Sequence, residues 1–394
     1  MSALHLLALD PLFNKGLDGG VILIVAIKTV ITFAVLMVAV LFMVWYERKL
    51  IADMQNRLGP AKAGGRFGIL QSLADGIKLF FKEDLLPDRA DKRVFRIAPY
   101  LSAVPAFLSF AIVPVGGSIT VLHHTTYLQL ADPPVGILFL LAMSGISVYG
   151  VMLAGWSSGS KYPLLGSVRA SAQMVSYEAA LGLSIATVVL FAGTLSTRGI
   201  ALDQAGHGPG GFLPGWNIIR LGVVPFVIFL IAATAELNRP PFDLVEAEQE
   251  LVGGFHTEYS SIRFALFFLA EFMNTVTMSA IVVTLFLGGP SGPLLGVLPD
   301  WLWPIIWFVA KLMIFLSVQV WFRATLPRLR YDQLMDVGWK VLIPLALGWL
   351  LIIAAVKVHS WYAVYGAIGG ILVALLLQRS MAVGRARIEE RVGQ

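Results

Sequence analysis

The chain has 394 residues, of which 57% are hydrophobic and 13% are charged, whereas roughly a quarter of the residues in a soluble domain are charged. These proportions exclude an ordinary soluble protein, and the absence of cysteine excludes disulfides and iron–sulfur clusters held by this chain's own thiolates. The formal net charge is +5, but the basic residues lie in loops beside apolar runs, where membrane insertion explains them, so no nucleic-acid partner is expected.

Nine apolar segments are each long enough to cross a bilayer, whose hydrocarbon core of about 30 Å requires about 20 residues of helix. We therefore predict an all-α integral membrane protein of about nine transmembrane helices, forming one polytopic domain over residues 1–394. The ninth segment would be an additional C-terminal transmembrane helix. The predicted spans are residues 21–46, 97–117, 134–156, 171–194, 216–236, 261–288, 301–323, 339–357 and 361–378.

The basic residues predict the orientation of these spans. Of the 29 Lys and Arg, 23 fall in the loops and tail on one side and four on the other, and the richer side should be cytoplasmic. This places the N-terminus outside and the C-terminus in the cytoplasm. The first apolar run is too long for the apolar part of a signal peptide, so we interpret it as a retained helix.

The cytoplasmic loop over residues 47–96 contains an amphipathic segment. Apolar residues recur at helical spacing over residues 67–81, against polar residues on the other face. Such a helix can lie along the membrane surface. It can simply cover the ends of the spans, or it can also roof the entrance of a ligand site.

The outer loops carry no recognisable binding motif. They are rich in Gly and Pro, and none has the Lys and helix start of a phosphate-binding loop. His123 and His124 are adjacent, with Asp132 nearby, but no third ligand stands at metal-binding spacing. We predict solvated loops there and no metal site.

Several ionisable residues lie within or at the end of a span. Glu178, Glu236, Glu271, Lys28 and Lys311 all interrupt apolar runs, and ionisable groups at membrane depth usually mark ion or substrate paths. The carboxyl groups are candidates for a proton relay. The alternatives are a fixed ion pair between Glu271 and Lys311, and a Lys28 side chain that reaches out to the surface.

The loop over residues 237–260 is acidic although it lies on the cytoplasmic side. If a helix begins at Asp243, then Asp243, Glu246 and Glu250 share one face and Glu248 points elsewhere. Like charges at this spacing require shared protons or Arg partners. The alternative is a solvated acidic helix. A basic segment, residues 323–340, follows the seventh span.

Four long motifs occur in the order that is typical of one family. Together they resemble the membrane subunit of respiratory complex I, the proton-pumping NADH:quinone oxidoreductase, that carries much of the quinone chamber. The first motif consists of ERK at 47–49, QNRLGP at 55–60 and LQSLADGIK at 70–78. The second consists of AGWSS at 154–158, KYPLLGSVRASAQ at 161–173 and SYE at 176–178. The third is the acidic loop with FALFFLAE at 264–271, and the fourth is WFRATLPRLRYDQLM at 321–335.

The resemblance implies a quinone as substrate, with FMN and iron–sulfur clusters on partner subunits, in a bacterial-type plasma membrane. No residue of this chain would be catalytic. The residues implied at the quinone chamber and its entrance are Trp45, Arg48, Arg57, Asp75 and Phe242. Those implied in coupling quinone reduction to proton pumping are Glu178, Glu236, Arg239, Asp243, Glu246, Glu248, Glu250 and Glu271. The basic segment implied to face the acidic loop carries Arg323, Arg328 and Arg330.

Two other functions stay open at this point. One is the equivalent subunit of a membrane-bound hydrogenase or of a deazaflavin-fed dehydrogenase. The other is a stand-alone secondary transporter, for which intramembrane carboxylates would be suitable. The sequence shows no internal repeat with paired broken helices, which many transporters have.

Overall fold

The computed structural model describes residues 10–13, 18–121, 124–206, 215–244, 252–293 and 298–358, with a few residues beyond. These residues form an all-α membrane protein. Six helices are long and apolar enough to cross a membrane, and a seventh apolar helix is shorter. The helices are α1 (Gly19–Met54), α2 (Gln71–Phe81), α3 (Lys92–Phe110), α4 (Gly136–Ser157), α5 (Lys161–Ala192), α6 (Thr197–Asp203), α7 (Asn217–Arg220), α8 (Val223–Glu236), α9 (Ser261–Phe286), α10 (Leu302–Thr325) and α11 (Tyr331–Val358).

Burial differs strongly between these helices. In α9, 72% of the most apolar stretch is buried inside the chain, whereas the value is 17% in both α1 and α11. Helix α9 packs against α1, α3 and α10, so it lies in the interior of the bundle. Helices α1 and α11 leave most of their apolar surface for lipid or for other proteins.

Eight of the nine predicted spans correspond to helices, but several boundaries were wrong. Helices α1, α5 and α10 continue past the predicted spans on the side that is predicted to be cytoplasmic, so Arg48 and the stretch 161–170 are helical rather than in loops. Apolar composition marks only the lipid-embedded part of a helix, which explains the difference. The predicted ninth span lies mostly outside the described residues.

The fifth span is divided. Residues 216–236 form two helices, α7 and α8, which meet at Gly222. Gly222 has a φ of 81°, a conformation that glycine adopts at little cost. Hydropathy alone could not reveal this break, because the residues on both sides are apolar.

The predicted amphipathic helix is confirmed as α2, although it begins later than predicted. A 3₁₀ turn over Gly65–Phe67 precedes it, and Gly68 follows with a φ of 65° close to Pro60. Leu73, Ile77 and Phe80 of α2 are exposed. Helix α2 thus presents an apolar surface that is suitable for the membrane interface.

A β-hairpin that the sequence did not indicate lies in the loop after α3, which is predicted to be on the outer side. Strands β1 (Ser118–Val121) and β2 (His124–Tyr127) pair in antiparallel orientation, with Ser118 opposite Tyr127. Four-residue strands are too short to give a clear alternating pattern. The hairpin provides the buried Thr126, which accepts a 3.0 Å hydrogen bond from Lys28 Nζ.

Candidate functional site

Four charged side chains from distant parts of the sequence, two of them buried and two partly buried, form a cluster at the end of the bundle that is predicted to be cytoplasmic. Arg239 is 1% exposed and donates from Nη1 to Glu47 Oε2 at 2.6 Å. Its Nη2 lies 3.3 Å from Glu271 Oε1, and Arg323 bonds to the other oxygen of Glu47. The cluster joins α1, α9, α10 and the segment after α8. We call these four residues the charge cluster.

The backbone after α8 is held by buried hydrogen bonds that fix the position of Arg239. Gln173 Nε2 donates to the carbonyl oxygens of Ala235 and Phe242, both at 2.7 Å. The amide of Leu329 donates to Pro241 O at 3.0 Å, which connects this segment to the one after α10. The guanidinium of Arg239 also lies 4.5 Å above the ring centroid of Phe272.

A polar cavity adjoins the charge cluster. Its volume is about 60 Å³, enough for a few water molecules, because one water needs roughly 10 to 15 Å³ of such space. Its ionisable lining residues are Glu236, Arg239, Asp243, His256, Glu271 and Arg323. A second cavity of about 10 Å³ shares the lining residues Ser147, Glu236 and Asn274. The first cavity thus contacts both the charge cluster and Glu236, and the second cavity adjoins Glu236.

Glu236 and Glu178 lie near each other across α4. Ser144 donates a short hydrogen bond to Glu236 Oε1, whereas Oε2 of the same carboxyl group is buried without a protein partner among the described residues. A Cβ placed on Gly145, the next residue of α4, would lie 3.6 Å from Glu178 Oε1. Two carboxyl groups therefore flank one short stretch of α4.

His256 brings a neutral imidazole to the polar cavity. It lies in a 3₁₀ turn, Gly254–His256, between the acidic segment and α9. Burial lowers the pKa of His256 to about 4, so the ring is uncharged at neutral pH. Its Nδ1 is buried without a hydrogen-bond partner among the described residues.

A larger groove lies on the other side of α9, between α1, α2 and α9. Its volume is about 440 Å³, and its wall is mainly apolar. Arg48 and Asp75 line it and form a 2.5 Å ion pair between α1 and α2. Trp45 Nε1 donates to Phe67 O at 2.8 Å and so fastens the segment before α2 to α1. We call this the lateral groove, and its lining suits a molecule with a long apolar part and a polar end.

Helix α9 separates the lateral groove from the polar cavity. Phe264, Ala265, Phe268 and Leu269 line the groove, whereas Phe267, Ala270, Glu271 and Asn274 line the cavity. These positions fall on opposite faces of a helix with 3.6 residues per turn.

The structure brings only some of the predicted site residues together. Arg57 extends beyond α1 and is exposed, with Nε bonded to Gln55 Oε1 at 2.6 Å. Phe242 is buried against Tyr177, with ring centroids 5.4 Å apart, and does not line the lateral groove. Arg328 and Arg330 are exposed. Glu246, Glu248 and Glu250 lie outside the described residues, as does His123.

The two intramembrane lysines have partners on the side that is predicted to be the outer one. Lys28 Nζ lies 3.1 Å from Asp10 Oδ2, in agreement with a side chain that reaches outward. Lys311 Nζ donates to the carbonyl oxygens of Leu287, Gly289 and Ser291 at 2.7 to 3.0 Å. The alternative of a fixed pair between Glu271 and Lys311 was therefore wrong, because Glu271 pairs with Arg239.

Sequence reasoning missed two members of this site. Glu47 was assigned to a cytoplasmic loop, yet it is 4% exposed and binds two arginines. Its position at the end of a long apolar run was the available signal. Ser144 had no such signal, because a serine in a transmembrane helix usually bonds to its own backbone.

Comparison with known proteins agrees with the resemblance seen in the sequence. The NADH dehydrogenase family profile matches residues 27–354. A protein of Frankia casuarinae, named as the H subunit of NADH-quinone oxidoreductase, is 50% identical over 386 residues, which cover 95% of this chain and 81% of that protein. A protein of the same name from Frankia alni is 51% identical over 381 residues, which cover 93% of this chain and 82% of that protein. Another from Streptomyces avermitilis is 48% identical over 370 residues, which cover 90% of this chain and 79% of that protein. The chain belongs to the NADH dehydrogenase family.

Proposed function

We propose that this chain is a membrane subunit of an NADH–quinone oxidoreductase, in which it admits the quinone and couples quinone reduction to proton translocation. Its relatives are named as the H subunit of that enzyme. The observation that carries the finer proposal is the arrangement around α9, with the lateral groove on one face and the polar cavity on the other.

The lateral groove is the proposed access path for the quinone. A quinone has an apolar isoprenoid tail and a polar ring, and the groove offers aliphatic and aromatic side chains together with Arg48 and Asp75. Helix α2 forms one wall and exposes apolar residues suited to the membrane surface. The wall formed by α2 also carries Lys78 and Lys82, so charged groups lie beside the apolar surface along which the quinone tail would enter.

The charge cluster and the polar cavity are the proposed coupling elements. A change of charge near Arg239 acts on Glu47 and Glu271 directly, because both carboxylates lie within 3.3 Å of its guanidinium. Water in the cavity can carry a proton between the cluster and Glu236, and Glu178 lies just across α4. Asp243 lines the same cavity, and we propose that Glu246, Glu248 and Glu250 extend this acidic path.

The partners follow from the same proposal. The chain has no cysteine, so iron–sulfur clusters and FMN would belong to peripheral partner subunits, while other membrane subunits would carry protons away from Glu178. The quinone is the substrate, and the complex would reside in a bacterial-type plasma membrane with the N-terminus of this chain outside and its C-terminus in the cytoplasm. The names of the relatives favour this assembly over a hydrogenase, a deazaflavin-fed dehydrogenase or a transporter.

The access path is tested by replacing Arg48 in the assembled enzyme. We expect Arg48→Ala to raise the KM for quinone several-fold, because the polar end of the lateral groove loses the cation that pairs with Asp75. Electron transfer from NADH to a water-soluble acceptor should be unchanged. Arg57→Ala is the matched comparison and should have the smaller effect, because Arg57 bonds to Gln55 and does not line the groove.

An equal loss of both activities in Arg48→Ala would contradict the proposal and favour a role for Arg48 in anchoring α1 at the membrane surface. Mass spectrometry of the subunits that copurify with the chain in mild detergent tests the assembly itself. Recovery of a hydrogenase module, or of no partner at all, would overturn the assignment.

A further inference from the structure

A second groove, on the half of the bundle that is predicted to face outward, shares no lining residue with the lateral groove or the polar cavity. It lies between α4, α5 and α11 and has a volume of about 510 Å³. Every residue that lines it is aliphatic or glycine, with Leu141, Ile185, Val189 and Leu351 among them. We call it the outer groove. Its residues lie near the ends of α5 and α11 that are predicted to face away from the cytoplasm.

Two cationic side chains lie against the ring of Phe191, at one end of this groove. Lys357 Nζ lies 4.7 Å from the ring centroid of Phe191 and donates to its carbonyl oxygen at 2.8 Å. Arg220 Cζ lies 4.7 Å from the same centroid. Arg220 is paired with Asp203 at 2.7 Å, so two cations and one carboxylate leave a local charge of +1. Phe191 directly follows Leu190, which lines the groove.

We propose that the outer groove holds an acyl chain of an anionic phospholipid whose phosphate lies against Lys357 and Arg220. An aliphatic wall suits a hydrocarbon chain, and the volume lies within the range of roughly 300 to 1,000 Å³ that is typical of ligand pockets. Among the described residues, Lys357 donates one of its three ammonium hydrogens, to Phe191 O. Charge-assisted bonds from ammonium and guanidinium groups to phosphate are the strong ones.

Residues 368–370, which the structure describes beyond α11, are a competing occupant that the contact of Gly370 disfavours. A Cβ placed on Gly370 would lie 2.9 Å from Ile352 Cδ1, so Gly370 packs on the side of α11 that carries Ile352. The groove is lined instead by Leu350, Leu351 and Ala354. With about 100° between successive residues of a helix, Ile352 faces away from that surface.

Replacement of Lys357 tests the contact with the headgroup. The complete assembly that contains this chain is purified in mild detergent, and native mass spectrometry counts the phosphatidylglycerol and cardiolipin molecules that stay bound. We expect Lys357→Gln to lose about one anionic phospholipid per assembly. Lys340→Gln is the matched control, because Lys340 is an exposed lysine at the other end of α11, where it pairs with Asp336, and it should retain the lipid. Equal lipid counts in both variants would overturn the proposal.

A second pair of variants tests the tail without changing any charge. A Cβ on Gly182, which lines the groove, meets no atom within 4 Å, so Gly182→Leu should fill the groove without a clash and expel the same lipid. Gly348 has equal space but does not line the groove, so Gly348→Leu should keep the lipid. If Gly182→Leu instead released a neighbouring subunit at an unchanged lipid count, the groove would be a protein interface and the proposal would be wrong.

Discussion

Glu47 and Arg239 lie 192 residues apart in the sequence, yet they form a 2.6 Å ion pair that is almost fully removed from solvent. Arg323 binds the second oxygen of Glu47, and Glu271 lies beside the second nitrogen of Arg239. Glu47 and Arg239 are thus each balanced by two opposite charges. Removal of one member leaves a buried charge without its counter-ion, which is the costly outcome for such sites.

Glu47→Gln is expected to destabilise the protein by about 3 to 5 kcal/mol, the usual cost of breaking a buried ion pair from one side. The measurement is the unfolding temperature and the yield of the assembled complex. Glu83→Gln is the control, because Glu83 is exposed and should have little effect. Combination with Arg323→Gln should recover part of the loss, since the double variant restores the charge balance. A fully stable Glu47→Gln protein would show that Glu47 is not an essential member of the cluster.

Glu178→Gln tests the carboxyl path. The amide keeps the volume and hydrogen-bonding capacity of the side chain but cannot ionise, and each proton moved against 100 mV requires about 2.3 kcal/mol. We expect an assembled complex with lowered quinone reduction and no proton pumping. NADH:quinone turnover and the pH gradient are measured together in reconstituted vesicles, with Glu83→Gln as reference. Unchanged values of both would remove Glu178 from the path.

His256 predicts a loss of stability in mild acid. Its pKa is about 4 in the folded protein and about 6.5 in an unfolded chain, so the unfolded state binds the extra proton between these values. The free energy of unfolding is therefore not reduced by His256 above pH 6.5 and decreases as the pH falls toward 4. Between pH 7 and pH 5 the decrease is about 2 kcal/mol. His256→Gln should show a smaller fall in unfolding temperature over this interval than the unsubstituted protein. Parallel curves would contradict the shifted pKa.

The orientation can be tested by cysteine labelling, because the chain has no native cysteine. Thr125 is exposed in the hairpin after α3, and Asp332 is exposed at the start of α11. Single cysteines at these two positions should react with a membrane-impermeant reagent from opposite faces, Thr125 from outside and Asp332 from the cytoplasm. Labelling of both from one face would refute the predicted topology.

The helical framework could be predicted from the sequence because a helix that crosses the bilayer needs a long, continuous run of apolar residues. Polar residues stand out against such apolar runs. The sequence therefore also showed the amphipathic segment that forms α2 and the ionisable residues inside the spans. The interruption of the helix at Gly222 could not be predicted, because hydropathy does not report the conformation of the backbone. The extension of α1 to Met54 was hidden as well, since helices continue freely into polar surroundings.

The partners of the charged residues could not be predicted. Arg239 finds Glu47 only because α1 and the segment after α8 pack together, and this proximity depends on the whole bundle. Lys311 was a reasonable partner for Glu271 by type, but the backbone after α9 offers it three carbonyl oxygens first. A sequence identifies the charges that need a partner, whereas tertiary packing selects the partner.

The thickness of α9 determines how strongly a charge in the lateral groove interacts with a charge in the polar cavity when the helix does not move. The lateral groove and the polar cavity are separated by one helix, whose diameter with side chains is about 10 to 12 Å. One elementary charge that appears on one side therefore changes the energy of a charge on the other by about 1.5 kcal/mol at an effective dielectric constant near 20. That energy corresponds to a shift of roughly one pKa unit. Helix α9 is therefore thin enough for a charge in the groove to change the protonation of a group in the cavity, while it keeps the contents of the two apart.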